Sequence, residues 1–462
     1  MAVQLKLVQR EDAEPTTSDV APVISLLSNT NGFDLEYYDG WTQAVPQGLT
    51  PGNLAETLNL IVTGSDKDDL AANLQGLDDK LKETEWYWDE PTERYGVWLR
   101  AQLTDEKYAR QALIRRGEGQ PGESLYGPYT DRGNVMRRYA LGLERLPWWE
   151  DTTGESYSPG AMDYGGETKE VGNTVGDVPS RIAWMSLASA SGDLDEFWLG
   201  FRTNRLVSDR TNFKQKWECE AGTMLIADTT AGGTYTTTTF ATDATMASRF
   251  YVKTSDITVN YSDQRGQFIV LMRAQLSAGS TTTRVRLLDG YSTTVSNLRR
   301  QNRVVIDSTE WKLYSLGTIQ IPPLAGLTTS DMFKSYGLLL QAERTAGAGS
   351  LRCDKFILIP ISEGALYASN VAMTTSNHVG RIRITPDGTV NGRTYSDAAC
   401  TDIIMSMAPR PQGPYSFTLP VNNGLAVFAG QGATSHVEAD HVELTFYWLH
   451  RWRTLRGEDS YT

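Results

Sequence analysis

The sequence is poor in the residues that build metal centres and disulfide scaffolds. Its 462 residues include three cysteines and four histidines. These are Cys219, Cys353, Cys400, His378, His436, His441 and His450. No two cysteines are spaced as C-x-x-C, which excludes a zinc ribbon and a small disulfide-rich domain. Buried reduced thiols are the expected state, with a Cys219–Cys353 disulfide as the alternative.

Positive charge and long apolar runs are also scarce. The chain has 43 lysines and arginines against 56 aspartates and glutamates, giving a net charge of −13. Because such a surface offers little to a phosphate backbone, no specific nucleic-acid binding is expected. No window holds about 18 apolar residues, and the start of the chain lacks an apolar core with a cleavage site. We therefore expect no membrane span, no secretory signal and a soluble compartment.

Motifs of common enzymes are missing as well. The sequence contains no G-x-S-x-G elbow, H-E-x-x-H helix or P-loop. Gly117, Gly119 and Gly122 satisfy G-x-G-x-x-G, but Pro121 and the residues after it prevent the helix that a dinucleotide site requires. A loop or hairpin is predicted there instead.

The acidic residues, although abundant, form no catalytic motif. A pair such as Asp193 with Asp195 would suit glycoside hydrolysis only in a cleft that held the carboxylates about 5–9 Å apart. With 56 acids in the chain, solvation at the surface is the simpler interpretation. We expect no enzymatic activity and no cofactor.

The segment that starts at Asp387 is similar to the beginning of a calcium loop. Its twelfth position is Ala398 in place of the usual glutamate. The sequence therefore predicts a hairpin turn, with Asn391 and Gly392 as the turn pair.

One helix is clearly indicated. After Ser65, a plausible N-cap, leucines recur at intervals of four, three and four, at Leu70, Leu74, Leu77 and Leu81. This spacing places them on one face of a helix, which we expect to be a core face.

Elsewhere the pattern has a period of two, which favours strands. Strands are predicted at 57–62, 97–103, 111–116, 137–146, 268–276, 284–288, 303–306, 311–316, 336–341, 351–359, 379–384, 415–419, 425–428 and 442–452. The fold class is therefore mainly β, with a small α+β part at the N-terminus. The predicted units are 1–150, a linker with first strands over 151–204, a β-sandwich or jelly roll over 205–362, and a last β block over 363–462. The basic tail around Arg451 and Arg453 is interpreted as a solvated strand end.

Aromatic residues of the 205–362 block are the remaining clue to function. Aromatic rings pack in cores and also stack on the apolar faces of sugar rings. For most of them core packing is the simpler role. Tyr235 and Tyr291, flanked by Thr, Ser and Gly, are the best candidates for exposed positions that bind a glycan.

Several segments, in order, resemble a known family. GFDLEYYDGWTQAVPQG, ETLNLIVTGSDKDDLAANLQGLDDKLKETEWYWDE, VWLRAQLTDE and ALIRRGEG are similar to the N-terminal domain of siphophage distal tail proteins and related minor tail proteins. GNTVGDVPSRIAWMSLAS resembles the passage into the C-terminal β domain of that family, and PYSFTLPVNNGLAVFAGQGATSHVEADHVELTFYWLHRWR its final strands. WKLYSLGTIQIPP and LRCDKFILIPISEG resemble late strands of carbohydrate-binding-module-like jelly rolls inserted into tail proteins.

The resemblance implies a fold and a role. The N-terminal domain would be a split-barrel β domain with one helix, followed by a C-terminal β-sandwich that carries the inserted jelly roll. The protein would be a virion component, assembled in the host cytoplasm into a homo-oligomeric ring, expected to be a hexamer, at the distal end of a long non-contractile tail. Its partners would be the tail tube protein and the tail tip or baseplate hub proteins. Host-surface glycans are the alternative ligand, bound by residues 205–362.

A jelly roll of this kind sometimes holds a structural calcium ion. Glu218, Glu220 and Asp354 are suitably placed along the sequence and offer the oxygen ligands that calcium prefers. Ordinary solvated acids are the simpler alternative, and no metal is the main expectation.

Overall fold

The computed structural model describes most of the chain. The described residues are 3–10, 20–26, 33–37, 53–89, 96–103, 109–125, 135–171, 178–189, 191–203, 213–240, 244–253, 265–278, 283–291, 297–322, 336–347, 349–362, 364–374, 377–385, 388–400, 402–412, 418–419, 424–453 and 455. They form antiparallel sheets and one helix, so the predicted mainly-β fold class is confirmed.

The N-terminal part is a curved sheet with one helix packed on it. Its elements are β1 (Val3–Arg10), β2 (Val20–Ser25), β3 (Phe33–Tyr37), β4 (Leu54–Gly64), α1 (Lys67–Asp89), β5 (Gly96–Leu103), β6 (Arg110–Leu125) and β7 (Val135–Arg145). The strands pair in the order β2–β1–β5–β6–β7–β4–β3. Strand β6 is long enough to pair with β5 through its first residues and with β7 through the rest.

Helix α1 lies between β4 and β5 with its leucine stripe facing the sheet. The amide nitrogens of Asp68 and Asp69 donate to the Asp66 carboxylate, which caps the first turn. Leu77 is fully buried and Leu70 and Leu81 nearly so, while Leu74 is half-buried at the edge of the same cluster. The predicted core face is therefore present, with Leu77 as its centre.

The G-x-G-x-x-G segment is part of strand β6, so the predicted loop or hairpin is wrong. Gly117 pairs with Leu143 and Gly119 with Leu141 on β7. A Cβ at Gly117 would overlap the Leu81 side chain of α1, and one at Gly119 would overlap the Tyr139 hydroxyl. These glycines allow close packing of helix and sheet.

Most of residues 151–171, at the start of the predicted linker with first strands, lie in strands. Strand β8 (Trp149–Asp151) ends where this unit begins, and β9 (Glu155–Asp163) and β10 (Glu167–Val171) follow. Strand β9 pairs with the last strand of the chain and β10 with a strand near residue 428. Glycine and threonine suggested a linker, but these residues are ordered by pairing with strands far along the chain.

The central part contains two sheets whose strands pair among themselves. Their strands are β13 (Lys216–Glu218), β14 (Thr223–Met224), β15 (Thr229–Ala231), β16 (Thr236–Thr239), β17 (Ala244–Lys253), β18 (Gly266–Leu276), β19 (Thr283–Gly290), β20 (Arg299–Ile306), β21 (Lys312–Ile321), β22 (Gly337–Arg344) and β23 (Ser350–Pro360). A six-stranded sheet includes β18, β21 and β23, and a five-stranded sheet includes β17, β19 and β22. A continuous apolar cluster contains residues of both sheets, including Phe356 and Leu340.

The C-terminal part is a second pair of sheets. Its strands are β11 (Val178–Ser189), β12 (Glu196–Thr203), β24 (Ala365–Ser369), β25 (Val379–Ile384), β26 (Val390–Tyr395), β27 (Ile403–Gln412), β28 (Thr418–Leu419), β29 (Gly424–Gln431) and β30 (His441–Trp452). One sheet runs β9–β30–β11–β25–β26–β27 and the other β27–β24–β12–β29–β10. Because β12 pairs with β24, the strands before and after the central part are neighbours. The domain boundaries at 150, 204 and 362 stay predictions.

Two further expectations for the C-terminal part are wrong. The predicted hairpin is present between β25 and β26, but its turn pair is wrong: Asn391 and Gly392 lie inside β26, opposite Arg383 and Ile382, and the turn includes Gly388, whose φ is 89°. Arg451 and Trp452 are buried and not a solvated strand end. Both errors came from local composition, since the deciding contacts are with other strands.

Candidate functional site

The Tyr291 cleft is a depression of about 540 Å³ at the end of β19. Its lining consists of Asp289, Gly290, Tyr291, Asn297, Arg299, Gln320, Pro322 and Tyr336. Tyr291 is half-buried, and its ring meets the edge of the Tyr336 ring with centroids 5.1 Å apart and planes at 82°. The cleft thus combines an aromatic wall with polar groups from three strands.

Asp289 is the polar centre of this cleft. Its fully buried carboxylate accepts hydrogen bonds from the Tyr336 hydroxyl, from Arg299 Nη2 at 2.6 Å and from Gln301 Nε2 at 3.2 Å. Burial, reinforced by Asp289, raises the pKa of Tyr336, so the phenol keeps its proton. Burial opposes the charge of Arg299, but Tyr336 and Asp289 raise the pKa of the guanidinium overall. The ion pair leaves the cleft with no net charge, which suits a neutral polar ligand such as a sugar ring.

Tyr235 belongs to a different aromatic group. It lies between β15 and β16 of the six-stranded sheet, half-buried, with its ring centroid 5.7 Å from that of Trp311. The Arg352 guanidinium lies 5.4 Å above the Tyr235 ring, and that of Arg273 4.4 Å above Trp311. Tyr235 and Tyr291 therefore have separate neighbours on separate sheets.

The sequence did not point to Asp289, Arg299 or Tyr336. Arg299 and Tyr336 are 10 and 47 residues from Asp289, and pairing of β19 with β20 and β22 brings them together. The local signal was Asp289-Gly290-Tyr291 at the end of a predicted strand, where a polar and an aromatic side chain follow each other. Without the register of the neighbouring strands, that signal is too short to define a site.

The structure brings together the three acids considered for calcium. Oxygens of Glu218, Glu220 and Asp354 lie within 4.8 Å of one another. The Lys355 ammonium lies among them, with Nζ 3.7 Å from Glu218 and 3.6 Å from Asp354. These residues have the right ligand atoms for calcium, but the chain already supplies a cation to two of the three carboxylates.

The same acids belong to a larger network that joins the central and C-terminal parts. Arg273 Nη1 lies 2.7 Å from Asp354 and 3.1 Å from Glu438, and Lys355 Nζ lies 3.1 Å from Glu438. Arg273 Nε donates to His436 Nδ1 at 3.0 Å. Burial raises the pKa of Asp354 to about 7, and the hydrogen bond from Asp354, together with Lys355 and Arg273, lowers the pKa of Glu438 to about 2. Burial lowers the pKa of His436 to about 4, so this imidazole is neutral at pH 7.

The cysteines are free thiols in this structure. Cys219 and Cys353 are buried, and Cys400 is half-buried. Burial raises the pKa of both Cys219 and Cys353, which removes their thiolates at neutral pH. Cys219 and Cys353 therefore match the expected buried thiols, whereas Cys400 does not lie in the core.

Neither a known protein family nor a curated protein matches the chain. Among solved structures, the chain is similar to one in the structure of the phage P2 baseplate in its activated conformation with Ca. The two are 9% identical with a TM-score of 0.21, and the match covers 76% of this chain and 98% of the baseplate chain. The chain is also similar to a chain in the structure of the infectious bursal disease virus Gx strain, with 7% identity, a TM-score of 0.18, and coverage of 66% and 83%. Scores this low do not establish a shared fold. Among the described residues, no helix is both long and apolar enough to cross a bilayer.

Proposed function

We propose that the chain is a virion structural protein of a long non-contractile bacteriophage tail. In this role it forms a homo-oligomeric ring, expected to be a hexamer, that joins the tail tube to the tip proteins at the distal end. The proposal rests on the sequence resemblance to siphophage distal tail proteins. It includes no catalytic activity.

The observation that most supports a structural role is the way the N-terminal and C-terminal parts are joined. Glu150 on β8 is buried between Arg181 on β11 and Arg451 on β30, with nitrogen–oxygen distances of 2.8 Å to each arginine. Trp452 and Leu455 pack into the apolar cluster of the N-terminal part. A subunit that transmits force between tube and tip needs such a fixed connection between its N-terminal and C-terminal parts.

Oligomeric state and position in the virion test this proposal. Native mass spectrometry and negative-stain images of the purified chain should show closed rings of about six subunits, since cyclic symmetry satisfies exposed strand edges. Gold-labelled antibodies against the chain should mark the end of the tail far from the capsid. Label on the capsid, or absence of the chain from purified virions, would contradict the proposal.

A second candidate function, adsorption to host-surface glycans, is favoured by the neutral, aromatic-walled Tyr291 cleft. Binding of the full chain to host cell-wall polysaccharide should fall in Tyr291→Ala and stay unchanged in the matched control Tyr157→Ala, a half-buried tyrosine of β9. Tyr235→Ala tests the other candidate and is expected to have the smaller effect. Equal binding by all four proteins would exclude the cleft, and release of sugars by the wild type would indicate an enzyme.

A further inference from the structure

Three arginines lie together on the outer face of the C-terminal sheet. Arg381 and Arg383 are two residues apart on β25 and so point to the same face. Arg393 on β26 is directly opposite Arg381 in the register. The alternate residue Ile382 is fully buried on the inner face. The arginines are therefore neighbours on the side of the sheet that faces away from the core.

These arginines line the arginine cleft, a depression of about 600 Å³. Its other defining residues are Trp184, Asn391 and Ser406. Trp184 is opposite Arg383 in the register, and its ring stacks on Tyr447 with centroids 3.6 Å apart. The stacked rings make a rigid floor, while Asn391 and Ser406 add neutral hydrogen-bonding groups beside the guanidinium groups.

Two of the three arginines of this cleft, Arg383 and Arg393, have side chains without a partner among the described residues. Outside the backbone ladder, neither guanidinium forms a hydrogen bond or ion pair with any residue that the structure describes. Nε and Nη2 of Arg383 are inaccessible to solvent and have no acceptor among those residues. Buried donors without acceptors are costly, and like charges directly opposite each other on neighbouring strands repel. The unpartnered guanidinium groups favour an anion as the ligand, although the chain as a whole has a net charge of −13.

We propose that the arginine cleft binds a compact phosphate-bearing ligand. The planar guanidinium fork matches oxyanions, and a phosphate group offers at least one more acceptor oxygen than a carboxylate to three converging arginines. The volume is within the usual range for small-ligand sites, so the cleft has room for a phosphate group and for a small molecule that carries it. The inference is independent of the tail role and of the Tyr291 cleft, whose own arginine is neutralised by Asp289.

Titration calorimetry of the full chain with pyrophosphate and with glycerol phosphate tests the site. Arg383→Gln and Arg393→Gln should each weaken binding by about tenfold or more, because each removes a charge-assisted contact. The matched control is Arg300→Gln, which removes an exposed strand arginine that has no partner among the described residues and does not line the cleft. It should bind like the wild type, and circular dichroism should show all variants folded.

Each alternative result overturns a defined part of the inference. No binding of either phosphate probe by the folded wild type would exclude the site. Equal loss in all three variants would indicate general charge attraction. If citrate bound as strongly as pyrophosphate, the cleft would be a general site for oxyanions, and the proposed preference for phosphate over carboxylate would be wrong. None of these results would affect ring formation, so failure here is distinguishable from failure of the tail proposal.

Discussion

Two buried ionic seams hold the parts of this molecule together, and they are built differently. The Glu150 seam joins the N-terminal and C-terminal parts through Glu150, Arg181 and Arg451, whose side chains are 4%, 1% and 9% exposed. The His436 seam joins the central part to the C-terminal part through Arg273, Asp354, Lys355, His436 and Glu438. Its Glu438 side chain is 32% exposed, so water reaches part of it.

The difference predicts how each seam responds to change. Burial disfavours the charge on Glu150, but Arg181 and Arg451 more than compensate and lower its pKa, so the group stays ionised at every ordinary pH. The His436 seam contains an imidazole held neutral by burial and a carboxyl whose pKa is raised by burial. The first seam should therefore be strong and insensitive to pH, and the second weaker and sensitive to pH.

Removing the carboxylate of the Glu150 seam should produce the largest effect. Glu150→Ala leaves two buried arginines without their partner, and the free energy of unfolding should fall by about 3–5 kcal/mol. Urea unfolding followed by circular dichroism measures the loss. The matched control, Glu443→Ala on the exposed face of β30, should change it by no more than about 0.5 kcal/mol. Similar values for both variants would show that the Glu150 seam is not strong.

Acidification should separate the two seams next. His436 in the folded chain has its pKa lowered to about 4, against 6.5 for the free side chain. Below about pH 6.5 the unfolded chain takes up a proton that the folded chain refuses, so the stability contributed by neutral His436 is lost as the pH falls. Between pH 7.5 and pH 5 the loss should be about 2 kcal/mol.

The variant His436→Gln isolates this contribution. It cannot be protonated, whereas Asp354, Glu438, Arg273 and Lys355 remain and titrate in both proteins. The difference in unfolding free energy between the wild type and His436→Gln should therefore shift by about 2 kcal/mol toward the variant on going from pH 7.5 to pH 5. Parallel pH profiles for the two proteins would mean that His436 is not held neutral by the fold.

The sequence predicted those features of the fold that depend on local pattern. Leu70, Leu77 and Leu81 were placed on the core face of α1 because a helix repeats every 3.6 residues. Features set by distant partners were missed. Gly117 was assigned to a loop because nothing local reveals that Leu81 packs against it. The local sequence predicts a solvated Arg451 because its partner Glu150 is 301 residues away.

The candidate sites follow the same division. Tyr291 was identified from its flanking residues, but its partners Arg299 and Tyr336 arrive from other strands. The arginine cleft was not predicted at all, since Arg381 and Arg393 become neighbours only through the β25–β26 register. Sequence reasoning found a single exposed aromatic residue and could not supply the cross-strand pairs that make a cleft.

A smaller effect, of opposite sign, tests whether the Glu150 seam couples its two sides. Gly76 is an exposed residue of α1, and a Cβ there would meet nothing within 4 Å. Gly76→Ala should stabilise the helix by about 1 kcal/mol. If the seam unites the N-terminal and C-terminal parts, a single shared urea transition should move to higher concentration. In the Glu150→Ala background the two parts should unfold in separate urea transitions, and Gly76→Ala should raise the midpoint of the N-terminal one alone. An unchanged midpoint in both backgrounds would mean that α1 unfolds before either part.

Calcium should have no effect on the melting temperature of the wild type. This is the most direct check on the His436 seam. The Lys355 ammonium already lies 3.7 Å from Glu218 and 3.6 Å from Asp354, and burial raises the pKa of both carboxyls. A divalent cation would have to displace this ammonium, so millimolar Ca²⁺ or a chelator should leave the melting temperature of the wild type unchanged. Lys355→Met frees the three acids of the cluster, and this variant alone should be stabilised by Ca²⁺. A wild-type melting temperature that falls with chelator would show instead that the seam is closed by a metal ion, because the carboxylates would then prefer the ion to Lys355.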